Sequence, residues 1–177
     1  MSITFTDLSL APSLLRALAD EGYTTPTPIQ AGSISIPLQG RDLLGMAQTG
    51  TGKTASFALP LLHRLAETPR QAPAGGARVL VLAPTRELVS QIADGFERFG
   101  RYQQPRVTTI FGGVSQVNQV NALKDGVDII VAAPGRLLDL VEQGLCDLTQ
   151  LEALVLDEAD QMLDMGFAKR IGRIVAT

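Results

Sequence analysis

The sequence predicts an α/β fold built on an open, mostly parallel sheet with helices on both faces. Three observations carry this reading. Short aliphatic and β-branched runs alternate along the chain with longer segments of helical period, the order that a parallel sheet with crossover helices requires. The runs are almost continuously apolar, as in strands buried on both faces, rather than alternating. Gly and Pro stand between them where one element stops and the next starts.

Taken in order, residues 10–20 read as a helix stopped by Gly22. Residues 27–38 read as a second helix, with Thr27 as N-cap, Pro28 where a missing N–H is harmless, and Gly40 beyond its end. The apolar run 42–47 reads as a strand, and 53–66 as a helix. Residues 68–77 are rich in Pro, Gly and Ala and read as an exposed loop. Strands follow at 78–83, 106–111, 127–132 and 154–157. Helices are expected at 85–99, 115–124, 134–143, 160–163 and 167–175. There is no internal repeat and no second-domain linker. Residues 1–40 read as an N-terminal flank and 41–177 as the body of one domain.

Composition narrows the function classes. The chain has 177 residues, 45% of them apolar, and a net charge of −3. That balance leaves no footprint for non-specific nucleic-acid binding, so any nucleic-acid surface must be local. The 15 basic residues include only three Lys; Arg suits bidentate phosphate contacts. A single cysteine, Cys146, rules out an internal disulfide and reads as a buried, inert thiol. No signal peptide is evident, and apolar runs of about five residues are too short to span a membrane. A cytoplasmic location is therefore expected.

The most informative stretch is Ala47-Gln48-Thr49-Gly50-Thr51-Gly52-Lys53-Thr54. Glycines let the backbone curl so that several N–H groups point at one anion, and the new helix adds its positive end. Lys53 reaches the outer phosphates of a nucleoside triphosphate, and the Thr54 hydroxyl is placed for Mg²⁺. Ala47 stands where the strict pattern has Gly.

In open α/β sheets ligands gather outside the carboxyl ends of the strands. Those ends carry Pro84-Thr85-Arg86, Gly112-Gly113, Pro134-Gly135-Arg136 and Asp157-Glu158. Beside a phosphate loop, Asp157 is expected to hold Mg²⁺ through water and Glu158 to orient and deprotonate an attacking water. By itself the pair would also suit an acidic helix N-terminus. Arg86 and Arg136 fit either a second anionic ligand or ordinary solvated surface arginines.

With these residues in view, the whole chain resembles the first RecA-like domain of a DEAD-box ATP-dependent RNA helicase of bacterial type. Asp157-Glu158-Ala159-Asp160 spell the family's name. Ala47 to Thr54 is similar to its motif I, including the leading Ala; residues 84–88 resemble motif Ia, Gly112-Gly113 the GG doublet, 133–136 motif Ib and 22–30 the Q motif. Phe5, seventeen residues before Gly22, resembles the isolated aromatic of the Q motif.

The resemblance implies ATP and Mg²⁺ as cofactors. It gives Gln30 to the adenine edge and Tyr23 to base stacking, with Phe5 in the same nucleotide site. It gives Pro84, Thr85, Arg86, Gly112, Gly113, Pro134, Gly135 and Arg136 to the sugar-phosphate backbone of RNA. Ala133 departs from the usual Thr, so a hydroxyl donor is lost there. The Q motif argues against another kind of phosphate-loop enzyme. An inactive nucleotide- or RNA-binding fragment remains open. The resemblance also implies that the Ser-Ala-Thr strand, the second RecA-like domain and the arginine finger lie outside this sequence. That strand would sit between the strand entering the phosphate loop and the strand ending at Asp157. Its absence would be met by a segment of another chain, by closing up of the two strands, or by a segment that is present but unseen. His63 reads as a boundary residue, and Met162 and Met165 as core. Gly166-Phe167 fits either a position near RNA or a helix break.

Overall fold

The computed structural model describes residues 3–48 and 50–177. They fall into two compact units, one taking in Met1–Pro69 with Gly95–Pro105 and the other Arg70–Asp94 with Arg106–Thr177.

The first unit is helical. A 3₁₀ turn, Phe5–Leu8, precedes α1 (Pro12–Asp20), α2 (Pro28–Ser33), α3 (Ser35–Leu38) and α4 (Lys53–Glu67). In α1, Leu14, Ala17 and Leu18 are buried at helical spacing. The helix stops where Gly22 turns left-handed at φ +74° and Tyr23 N–H bonds the Leu18 carbonyl. α1 packs on α4, where Ala58, Leu59 and Leu62 are fully buried; each such leucine contributes roughly 1.5–3 kcal/mol. His63 fastens this contact. Its Nδ1 accepts from Ala11 N–H at 3.0 Å, and its Nε2 faces Glu67 at 3.2 Å. The single helix expected over 27–38 is broken at Ile34. Pro37 has no N–H to offer the Ser33 carbonyl, so the ladder lapses there.

The second unit is a parallel sheet with its helices. Its strands are β1 (Ala77–Leu82), β2 (Val107–Ile110), β3 (Val127–Ala132) and β4 (Ala153–Leu156), in the order β2-β3-β1-β4. The helices are α5 (Arg86–Phe99, whose end belongs to the first unit), α6 (Gln116–Leu123), α7 (Pro134–Glu142), α8 (Ala159–Asp164) and α9 (Ala168–Val175). On one face Leu80, Leu82, Ile110, Ile130 and Ala132 pack with Leu137 and Leu140 of α7, Met162 of α8 and Ile174 of α9. The opposite face is also buried at Val79, Val81, Ile129 and Val131, as the apolar runs require. Cys146 joins the same core. Burial pushes its thiol up to about 12, which makes it inert.

Register positions the site. Ile110 lies opposite Ala132, Leu82 opposite Ala132 and Leu82 opposite Leu156. The last residues of all four strands thus form one row, and the loops leaving them emerge side by side.

Three further expectations fail. Residues 42–47 form no strand; Leu44 and Met46 are 90% and 89% exposed. Apolar periodicity supplies strand propensity, but a strand exists only when it has a ladder partner. β4 stands at the sheet edge with Leu154 and Leu156 39% and 41% exposed, so it is not buried on both faces. Met165, read as core, is 49% exposed, whereas Met162 is fully buried.

Candidate functional site

The phosphate loop is shaped by its glycines. Gly50 and Gly52 adopt φ of +82° and +84°, a region that L side chains enter only with strain. The Thr51 hydroxyl donates to the Gln48 carbonyl at 2.7 Å, closing the curl. Lys53 opens α4 with Thr54 behind it. Thr54 is held from the far side, since a Cβ on Gly95 would lie 3.0 Å from its Cγ2. Thr49 lies outside the described residues.

Residues expected from the sequence to form a Q motif, Thr27 and Gln30, meet this loop directly. Thr27 caps α2, and the Gln30 side chain bonds back to Thr27 N–H at 2.9 Å, a capping box. The remaining reach of both side chains goes to the loop. Thr27 Oγ1 donates to the Thr51 carbonyl at 2.9 Å, and Gln30 Nε2 donates to the Gly52 carbonyl at 3.2 Å. A side chain at Gly52 would put its Cβ 2.3 Å from Gln30 Nε2. Gln30 is 1% exposed, so in this structure its amide braces the loop. Phe5 is buried at 3% exposure and meets the edge of Tyr23 at 6.3 Å. Tyr23 in turn meets Phe99 at 5.8 Å. Phe5 therefore supports Tyr23 and has no open face of its own.

In the second unit the row of strand ends carries the other candidates. Asp157 extends the β4 ladder through its N–H to the Leu82 carbonyl. Its side chain, 9% exposed, accepts from Glu158 N–H at 3.1 Å. Glu158 is left-handed at φ +51°, an uncommon state for a residue with a Cβ and one found at functional turns. Thr85 caps α5 by accepting from Leu88 N–H at 3.2 Å, which sets Arg86 in the first turn.

Both arginines of this row lean on the turn after β2. The Arg86 guanidinium lies over the Phe111 ring, 4.9 Å from its centroid. Arg136 Nη1 donates to the Val114 carbonyl at 3.1 Å. Between these supports come Gly112 and Gly113, the latter at φ +80°. Pro134 and Gly135 open α7, and Arg170 Nη1 comes within 3.6 Å of where a Gly135 Cβ would stand. Phe167 is half-buried beneath Arg170.

Over residues 27–177 the chain matches the DEAD/DEAH box helicase family. The chain belongs to that family. It is 47% identical to the ATP-dependent RNA helicase DeaD of Mycobacterium tuberculosis over 98% of this chain and 30% of that protein. It is also 47% identical to the ATP-dependent RNA helicase SrmB of Escherichia coli, over 97% of this chain and 38% of that protein. The chain thus spans about 30% of the length of DeaD. Among solved structures, a DEAD box protein from Methanococcus jannaschii superposes with a TM-score of 0.88 at 35% identity, covering 99% of this chain and 47% of that one. A hypothetical ATP-dependent RNA helicase from Sulfolobus tokodaii gives 0.83 at 38% identity, over 93% and 46%.

The donors of each unit, taken by itself, are of the kind a Mg²⁺-nucleotide uses. In the first unit the loop leaves no room for a Cβ at Gly52 and Thr54 offers a hydroxyl oxygen; in the second, Asp157 offers a carboxylate oxygen, and both are hard donors that Mg²⁺ prefers. Among the described residues there is no cluster of three or more His, Cys, Asp or Glu to hold a metal. Sequence reasoning missed Phe111, Val114 and Gln119, whose Nε2 donates to the Phe111 carbonyl at 3.0 Å. Only their closeness to the Gly112-Gly113 pair hinted at them.

Proposed function

We propose that this chain is the ATP-binding motor domain of an RNA helicase, which grips single-stranded RNA by its backbone and couples ATP hydrolysis to remodelling of RNA duplexes. The observation that carries this reading is the single row of strand ends with Arg86, Gly112-Gly113, Arg136 and Asp157-Glu158, in a chain of the DEAD/DEAH box family.

Each residue has a role its chemistry supports. The loop N–H groups and the α4 N-terminus take the phosphates, with Lys53 opposing the outer charge. Tyr23 offers a ring edge and face to the base. Gln30 reads adenine when its amide leaves the Gly52 carbonyl, so base recognition and loop bracing compete for one N–H. Mg²⁺, held by Thr54 and Asp157, would neutralise phosphate charge. Glu158 accepts the proton of the attacking water. Arg86, Arg136 and the backbone N–H groups of Gly113 and Gly135 take RNA phosphates, with Pro84, Thr85, Gly112 and Pro134 shaping the turns. Such contacts position RNA without reading its sequence.

The relatives' greater length supports a second RecA-like domain in the complete protein, which would supply the arginine that stabilises the transition state. Such an arginine is typically worth about 10³–10⁵ in rate, so this chain alone is expected to turn over little ATP. The deciding experiment is Glu158→Gln in the complete protein. ATP and RNA binding are expected to persist while RNA-stimulated turnover drops by about 10²-fold or more. Normal turnover in that variant would remove Glu158 as the base. A complete wild-type protein that binds ATP and RNA but never hydrolyses would favour the binding-fragment alternative.

A further inference from the structure

We infer that Phe111 is a positioning residue for RNA. It pre-orients Arg86 and ties the motif Ia arginine to the Gly112-Gly113 turn. The inference rests on the RNA-binding reading above. Two independent contacts carry it. The Arg86 guanidinium lies over the Phe111 ring, 4.9 Å from its centroid, and the Phe111 backbone is itself fixed, its carbonyl accepting from Gln119 Nε2 at 3.0 Å. Gln119 is buried in α6 at 7% exposure, so the ring's platform is anchored to the body of the unit.

The chemistry follows from what a stacked guanidinium can still do. Stacking uses the π face and leaves the N–H donors in the plane of the group. An Arg held over a ring by its π face keeps in-plane N–H donors for a ligand, and phosphate binds such a fork edge-on. Without the ring, the long side chain would have to be ordered at the moment of binding. Three residues on, Arg136 bonds the Val114 carbonyl, so residues 111–114 support both arginines at once. The ring face taken by Arg86 is not open to a base, which sets Phe111 apart from an aromatic stacking platform. Among the described residues neither Arg86 nor Arg136 has a carboxylate partner that would compete with phosphate.

The test is a double-mutant cycle with Arg86→Ala and Phe111→Leu, reading affinity for oligo(U) across a salt series in the complete protein. Arg86→Ala is expected to weaken binding about tenfold and to lower the salt slope by about 0.7, one single-strand phosphate contact. Phe111→Leu should weaken it about 2–5-fold, the range of an exposed cation–π contact. Phe111→Tyr should bind as the wild type does. In the Arg86→Ala background, Phe111→Leu should change nothing further, because the ring acts only through Arg86.

As a second readout, NMR of the RNA-free wild-type chain should show the Arg86 side-chain N–H shifted upfield by the ring current. This holds the inference to account even if Phe111→Leu fails to fold. Wild-type affinity in Phe111→Leu, additive losses in the cycle, or an unshifted Arg86 resonance would each overturn it. If Arg86→Ala weakens binding and Phe111→Leu does not, the inference falls and the RNA-binding reading stands. If the complete wild-type protein does not bind oligo(U), both fall.

Discussion

The two ends of the same sheet use arginine in opposite ways. At the amino end, Arg78, the second residue of β1, is 1% exposed. It is gripped by Glu152 just before β4, with Nε to Oε1 at 2.5 Å and Nη2 to Oε2 at 3.2 Å. Arg70 adds a second cation to the same carboxylate at 2.8 Å. At the carboxyl end, Arg86 and Arg136 rest on a ring and on one carbonyl. An arginine saturated by a carboxylate is a strut. One supported on its face, or through a single N–H, keeps donors for a ligand. What satisfies the side chain, rather than its residue type, separates the strut from the proposed ligand-binding arginines.

Removing the strut's partner should have the largest effect. Glu152→Ala removes the carboxylate that grips the buried Arg78, and is expected to cost about 3–5 kcal/mol. Urea unfolding would show it as a lower midpoint with an unchanged slope. Replacing both partners with apolar residues, Arg78→Met with Glu152→Leu, should recover most of the loss. A cost for Glu152→Ala near that of a surface substitution would erase the contrast between the two ends.

The same pair should make stability depend on pH. The hydrogen bond from Arg78 comes first in holding the Glu152 carboxyl below its ordinary value; burial opposes it, and the charges of Arg78 and Arg70 add to it. Because the folded value is depressed, this stabilisation is fully present above the unfolded value of about 4.3 and is lost as pH falls through the folded one. Wild type should therefore lose stability below about pH 4 more steeply than Glu152→Gln. Parallel curves would show the pair contributes nothing through titration.

The carboxyl end should respond in the other currency. Arg136→Ala is expected to weaken RNA binding about tenfold while moving stability by no more than about 0.5 kcal/mol. A large loss of stability with RNA affinity intact would make Arg136 a second strut. The smallest effect should come from Arg70→Ala. Its side chain is 43% exposed, and an exposed ion pair contributes about 0–1 kcal/mol. A loss rivalling that of Glu152→Ala would mean that the outer cation, not the buried one, secures the carboxylate.

The fold was largely legible in the chain. All four observed strands fall within about a residue of where their apolar runs place them, because each is a local pattern that its neighbours in the sheet reinforce. Residues 42–47 carry the same pattern and form no strand, since a ladder partner is not a local property. The break at Ile34 was readable from Pro37 and went unread. In the candidate site, the glycines and charged residues at strand ends identified the loops. What those loops lean on was hidden. Arg78 and Glu152 are 74 positions apart, Gln30 and Gly52 are 22 apart, and Arg86 reaches Phe111 only after β2 and β3 have set the register. Pairings of this kind leave no periodic trace.

The edge at β4 has a colloidal consequence. Ala153-Leu154-Val155-Leu156 carries no charge and no proline, the features that guard natural sheet edges against pairing with one another. The other edge, β2, has Thr108 and Thr109 at its centre and Arg106 at its start. A solution of this chain is therefore expected to set its own upper concentration, with self-association starting along β4 rather than β2. A charged residue in place of Leu154 or Leu156 would raise that ceiling.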